Sequence, residues 1–206
     1  MSAVGDTVII DSGGANLASL RFALERLGVA ARLARQPADL AQASRAILPG
    51  VGAAADAMAR LARSGLDEAI RRYERPLLGI CLGMQLLFER SEEGDTACLG
   101  IIPGRVTALR SAPGRPVPHM GWNTLQPVRP DPLLAGIGPD DWVYFVHGYH
   151  LRADDDDPAL VARSDYGVAV AAVVRRAGFM GVQFHPERSG AAGARLLANF
   201  LAMDGR

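Results

Sequence analysis

Apolar positions in the first half of the chain alternate between short continuous runs and stretches of helical spacing. Thr7–Ile10 is a run of four that ends at Asp11. Leu17, Leu20, Leu24 and Leu27 follow at helical spacing, and Gly28 is the residue type that closes a helix. Residues 29–33 read as a second strand and 38–43 as a short helix. Residues 46–48 read as a third strand, broken by Pro49-Gly50-Val51-Gly52. Residues 53–73 form one helix or two, with Gly65 as the interruption. Residues 76–80 are a fourth strand and 82–90 a fourth helix. Continuously apolar strands between helices predict a parallel sheet covered on both faces.

The second half changes character. Residues 104–110, 117–128, 141–149, 168–175 and 178–184 read as strands joined by Pro- and Gly-rich turns. A last helix spans about 191–203, with Ala194, Leu197 and Leu201 on one face. The expectation is a single α/β domain over residues 1–206. Its central sheet is mostly parallel but mixed, flanked by helices, with antiparallel additions in the second half.

Charge narrows the function. Among 206 residues, 22 basic side chains balance 22 acidic ones, which argues against nucleic acid as a partner. Every basic residue is Arg. That excludes Schiff-base, Lys-nucleophile and P-loop chemistry, all of which need an amine. Cys81 and Cys98 form neither a disulfide framework nor a zinc-type pair. A reduced, cytoplasmic protein without a signal peptide is expected. No apolar run approaches the roughly 18 residues of a membrane helix. No metal or cofactor is expected: His147 and His150 are three apart, which on one strand puts them on opposite faces. The four acidic residues Asp154–Asp157 lack calcium-loop spacing and read as a solvated loop.

The sharpest local feature is Gly79-Ile80-Cys81-Leu82-Gly83. A strand ends and a helix begins at Cys81, with Gly two positions to either side. This is the layout of a nucleophile elbow with sulfur in place of hydroxyl. The tight turn lifts the sulfur clear of the sheet. The helix N-terminus favours thiolate, and the Leu82 N–H faces a developing oxyanion. An isolated Cys is more often a small buried hydrophobe, and Cys98 is read that way.

A thiol nucleophile needs a base. His185-Pro186-Glu187 ends an apolar strand. A carboxylate two residues on lies on the same side of an extended chain and can orient the imidazole. Pro49-Gly50-Val51-Gly52 is a second glycine-rich strand end, suited to presenting backbone N–H groups or serving as an ordinary turn.

With these three motifs the chain resembles the class I glutamine amidotransferases. Ile102-Pro103-Gly104-Arg105-Val106, Pro118-His119-Met120-Gly121-Trp122-Asn123, Tyr144-Phe145-Val146-His147 and His185-Pro186-Glu187-Arg188-Ser189-Gly190 narrow the resemblance. They point to one subfamily, the glutaminase subunits of imidazole glycerol phosphate synthases in histidine biosynthesis. The resemblance covers nearly the whole chain. It implies that Cys81 attacks the glutamine amide, that His185 moves the protons, and that Glu187 orients His185. It implies an oxyanion hole from Val51, Gly52 and Leu82. Gly50, Gln85, His147, Gly148 and Tyr149 would hold the glutamine, the last three through backbone. It implies a (β/α)8-barrel cyclase as partner, which takes the ammonia and makes imidazole glycerol phosphate and aminoimidazole carboxamide ribonucleotide. Asn16, Met120, Trp122 and Arg188 would face that partner.

The chain departs from the subfamily pattern at Ser12-Gly13-Gly14-Ala15-Asn16, at Gly148 where Ser is usual, and at Arg188 where Lys is usual. Arg188 can keep an interface ion pair with altered geometry. Alternative readings are a glutaminase subunit for an anthranilate or carbamoyl phosphate type of synthase, another Cys hydrolase, and a non-catalytic scaffold. The Pro118–Asn123 stretch weighs against the first, the His185–Glu187 spacing against the second, and the intact triad against the third. A free glutaminase would waste ammonia to water, so low activity without the partner is expected, with the Pro49–Gly52 strand switching between backbone states.

Overall fold

The computed structural model describes residues 6–13 and 17–203. The first half winds as β1 (Thr7–Ile10), α1 (Leu17–Arg26), β2 (Arg32–Ala34), α2 (Pro37–Ala41), β3 (Arg45–Gly50), α3 (Ala54–Ser64), α4 (Leu66–Arg71), β4 (Leu77–Cys81) and α5 (Leu82–Gln85). Gly65 adopts φ 72° and splits the long apolar stretch into α3 and α4, a conformation that glycine takes without steric cost. The second half adds β5 (Arg90–Ser91), β6 (Thr96–Ala97), β7 (Arg105–Ala108), β8 (His119–Thr124), β9 (Gln126–Pro127), β10 (Trp142–His147), β11 (Tyr149–His150), β12 (Leu160–Asp165), β13 (Ala169–Arg176), β14 (Phe179–Val182) and α6 (Gly190–Leu201).

An eight-stranded sheet runs in the order β2-β1-β3-β4-β14-β13-β12-β9. From β2 to β14 neighbours are parallel, and from β14 to β9 they are antiparallel. The sheet is therefore mixed, as the sequence implies. Alternating strand residues feed two cores. Val8, Ile10 and Leu48 pack with α2, α3 and α4, while Ile9, Ile47 and Leu78 pack with α1 and α6. The second core also takes Val143 and Phe145 from the antiparallel pair of β8 and β10. No helix among the described residues is long and apolar enough to cross a membrane.

Several elements differ from the sequence expectation. β3 is not broken at Pro49 but continues to Gly50. Pro49 faces the side where β1 has already ended, so its missing N–H costs no ladder bond, and the Ser12 hydroxyl donates to its carbonyl at 2.7 Å. The fourth helix is only four residues long rather than nine. Beyond Gln85 the backbone turns, and the carbonyls of Leu86, Leu87 and Phe88 accept from the N–H groups of residues 99–102. Residues 117–128 divide into β8 and β9, which join different sheets, and residues 141–149 divide at Gly148. β12, β5 and β6 are additional to the expected strands.

Candidate active site

β4 and β14 lie side by side at the centre of the sheet, and their C-terminal ends carry Cys81 and the approach to His185. Strand ends at the middle of an open α/β sheet are where ligand crevices form. Cys81 sits at the joint of β4 and α5 with φ 54° and ψ −113°, a conformation unusual for a side chain-bearing residue. This is the strained elbow that the glycine spacing predicts. The helix behind it is one turn long, so the electrostatic aid expected from a helix N-terminus reduces to the N–H groups of that turn.

His185 leaves β14 in extended conformation, and residues 186–188 form a 3-10 turn. The His–Glu pair therefore closes through a turn, not along an extended strand as the spacing suggests. Nδ1 of His185 lies 2.8 Å from Oε1 of Glu187. The backbone of His185 is clamped from both sides. Its N–H donates to the Tyr144 carbonyl at 2.9 Å, and its carbonyl accepts from the Ser189 hydroxyl at 2.7 Å. Nε2 of His185 and Oε2 of Glu187 are buried without a hydrogen-bond partner. Burial alone would push the imidazole's pKa down. The Cys81 sulfur and the Glu187 carboxylate outweigh it and hold the value up, at about 10. Both neighbours favour the protonated ring.

These three residues line one cavity of about 340 Å³, the low end of the range for small-molecule sites. Gly50, Val51, Gly52, Leu82, Gln85, His147, Gly148 and Tyr149 line it too, so every residue assigned to the oxyanion hole or to glutamine is brought to the same cavity. Gly52 has φ 92°, and Val51 and Gly52 are both exposed at that strand end. Gln85 is not free to reach into the cavity: its Nε2 donates to the Tyr149 carbonyl at 2.8 Å and to Oε1 of Gln183 at 3.0 Å.

Two residues escape the sequence reading. Gln183 is fully buried and its Nε2 points at Cys81 Sγ at 3.8 Å, while the thiol faces the Val146 carbonyl at 3.7 Å. A single amide inside the apolar run 179–184 is the signal that could have found it. Glu93 also lines the cavity, and its Oε2 accepts from the Ala54 N–H at 2.7 Å. It caps α3, whose own N-cap, Ala53, has no side chain to do so. A carboxylate in a Ser-Glu-Glu-Gly loop carries no such signal on its own.

Beside the cavity, the outer face of the β8–β10 pair is apolar and uncovered. Met120 is 62% and Trp122 51% exposed, so neither is a core residue. Trp122 packs edge-on against Tyr144, and the Arg188 guanidinium lies 4.5 Å from the centre of the Tyr144 ring. Phe22 of α1 is also exposed. Asn16 lies outside the described residues. Cys98 is buried away from the cavity, and burial raises its thiol to about 11, as expected of an inert core cysteine.

The profile of the family described as "Glutamine amidotransferase class-I" matches residues 8–203. A protein of Xanthomonas axonopodis pv. citri named imidazole glycerol phosphate synthase subunit HisH is 56% identical over 198 residues. The match spans 96% of this chain and 98% of that protein. A protein of the same name from Xylella fastidiosa is 54% identical over 199 residues, spanning 97% of this chain and 98% of that one. Among solved structures, one described as a glutamine amidotransferase has a TM-score of 0.74 at 23% identity, covering 96% of this chain and 97% of the other. Another, described as a putative GMP synthase subunit from Thermoplasma acidophilum, has a TM-score of 0.71 at 18% identity, covering 96% and 92%. At these identities the solved structures speak to the fold alone.

Proposed function

The chain belongs to the class I glutamine amidotransferase family, and from that premise we propose that it is the glutaminase subunit of an imidazole glycerol phosphate synthase. One observation carries the chemistry: Cys81 on its elbow and the unpartnered Nε2 of His185 line a single cavity, with Glu187 bonded behind the imidazole. Full-length identity to the HisH subunits supports the choice of synthase over the anthranilate and carbamoyl phosphate types. We read residues 1–206 as one amidotransferase domain, working in the cytoplasm.

The mechanism runs through the chain's own groups. Cys81 as thiolate attacks the side-chain amide carbon of glutamine, and the carbonyl electrons move to oxygen. Backbone N–H groups of Val51, Gly52 and Leu82 stabilise that oxyanion. The imidazolium of His185 gives its Nε2 proton to the amide nitrogen, and ammonia leaves as the carbonyl re-forms in a thioester. Water then attacks the thioester, His185 accepts its proton, and glutamate departs with the thiolate restored. Glu187 holds Nδ1–H of the ring throughout, so Nε2 stays directed at the reacting atoms. Backbone of His147, Gly148 and Tyr149 holds the amino-acid end, and Gly50 serves through its backbone, since a Cβ there would lie 2.7 Å from the Gly83 nitrogen and 2.8 Å from Leu82 Cβ. Gln85 acts by holding the Tyr149 carbonyl. Glu93 is a carboxylate in the cavity that the triad leaves unused, and it suits the substrate's ammonium.

The cyclase, a (β/α)8 barrel in this reading, docks as a heterodimer on the face of Met120, Trp122 and Arg188. Exposed aromatic and Met side chains beside a guanidinium fit an interface centre. Arg188 also lines the cavity, so the docking face and the ammonia source adjoin.

The experiment is glutamate release from glutamine by the purified chain, alone and with a cyclase partner plus its ribonucleotide ligand, with Cys81→Ala as control. Strong stimulation that vanishes in the variant is the expected result. Hydrolysis indifferent to the cyclase would reassign the chain to another synthase. No hydrolysis under any condition would leave only a scaffold or a different hydrolase.

A further inference from the structure

Behind the cavity wall sits a buried pair of histidines that the triad does not use. His119 of β8 and His147 of β10 are directly opposite in the antiparallel register. Nδ1 of His119 lies 3.0 Å from Nε2 of His147, and Nδ1 of His147 lies 2.9 Å from the carbonyl oxygen of Tyr149. A carbonyl oxygen only accepts. The proton of His147 must therefore sit on Nδ1, which leaves Nε2 as an acceptor, so His119 must donate from its own Nδ1. One peptide oxygen thus fixes the tautomers of both rings. Burial pushes the pKa of both rings down, to about 4 for His119 and about 3 for His147, and keeps them neutral, as this order of donors requires.

The far end of the pair is anchored by packing. The His119 ring stacks on Phe145, with centroids 4.7 Å apart, and on Tyr166, with centroids 3.8 Å apart. Tyr166 is tied in turn by its hydroxyl, which donates to the Pro116 carbonyl at 2.7 Å. The near end reaches the nucleophile. The Tyr149 carbonyl that accepts from His147 also accepts from Gln85, Gln85 donates to Gln183, and Gln183 donates to Cys81 Sγ. Between β10 and β11 the chain bends at Gly148, which has no side chain to hold the bend in place. The histidine pair does that instead.

We propose that His119 is a positioning residue for glutamine binding: through His147 it fixes the backbone of residues 147–149, and so sets the affinity of the cavity for the amino-acid end of the substrate without touching it. The proposal rests on the glutaminase reading above. Loss of the His119 N–H leaves Nε2 of His147 buried without a donor, a cost that loosens the ring's hold on the Tyr149 carbonyl.

The test uses the chain assembled with its cyclase. His119→Phe keeps a flat ring between Phe145 and Tyr166 but has no N–H to donate. It raises KM for glutamine about tenfold and leaves kcat within about twofold. His119→Asn, whose side-chain amide can donate from nearly the same place, brings KM back to within about threefold of the parent. An unchanged KM in His119→Phe overturns the proposal. So does a His119→Asn variant no better than His119→Phe, because the role would then be packing alone. Nitrogen-15 NMR of histidine-labelled protein reads the tautomers without any substrate. Nδ1–H on both rings is expected, and Nε2–H on His147 overturns the proposal. Failure of the glutaminase reading looks different: the parent complex would release no glutamate while both rings still showed Nδ1–H.

Discussion

The carbonyl oxygen of Leu48 fills the space in which a side chain at residue 83 would begin. A Cβ on Gly83 would lie 1.7 Å from it, and a Cβ on Gly79 would lie 2.7 Å from the Gly83 carbonyl oxygen. The two glycines around Cys81 therefore serve close packing of β3, β4 and the single turn of α5. The place of Cys81 on the cavity wall is a consequence of that packing. Both obstructing atoms are backbone, which cannot swing aside.

Gly83→Ala should accordingly cost at least about 2 kcal/mol of stability, the scale of overpacking in a rigid core. For a chain of this size that lowers Tm by roughly 5 °C. Thermal unfolding checks it, and an unchanged Tm would show that β3 can withdraw.

Cys81 holds φ 54° and ψ −113°, where glycine is at ease and other residues are strained. Cys81→Gly and Cys81→Ala both remove the sulfur, but only the first removes the strain. After the extra unfolded-state entropy of glycine is deducted, Cys81→Gly should still be the more stable variant by about 1 kcal/mol. Equal denaturant midpoints for the two would mean that the elbow is unstrained.

The pH dependence of stability follows from His185. Its folded pKa, about 10, lies above the ordinary value of 6.5. The unfolded chain then loses this proton first, so the contribution is complete below about pH 6.5 and is lost as pH rises towards 10. Glu187→Gln should flatten the decline between pH 7 and 9 in a denaturation series. On the acid side the signs reverse. His119 and His147 have folded values of about 4 and 3, so stability should fall as pH drops below 6.5 towards 4.

Trp122 is half exposed and packs edge-on against Tyr144. Trp122→Ala should leave stability within about 0.5 kcal/mol and raise the Kd for the cyclase about 30-fold, as loss of a central aromatic anchor does. Unchanged affinity in a binding titration would move the docking face elsewhere on the chain.

Much of this was legible in the sequence where one physical cause acts locally. Continuous apolar runs give β1, β3, β4, β13 and β14, because a strand buried on both faces has no polar positions. The motif at Cys81 and the pair His185–Glu187 are legible because each is built from residues only two apart. What needed register or long-range partners was not. The apolar run 82–88 has helical density, yet the helix stops at Gln85 because residues 99–102 claim the later carbonyls. β12 escaped because its second half, Arg163-Ser164-Asp165, is polar. The His119–His147 pair is invisible until β8 and β10 are aligned. Glu93 lines the cavity while it caps α3, a partner 39 residues away that its own loop does not announce.

The central claim is that the amide nitrogen of glutamine is freed at Cys81 and passed on without escaping. The direct measurement supplies the assembled pair with the ribonucleotide substrate, amide-15N glutamine and an excess of unlabelled ammonium at near-neutral pH, and reads the imidazole product by mass spectrometry. The account expects product that carries the label despite the excess, and product built only from unlabelled ammonium when Cys81 is replaced by Ala. Label diluted to the level of the bulk ammonium, or label retained in the Cys81→Ala complex, would contradict it.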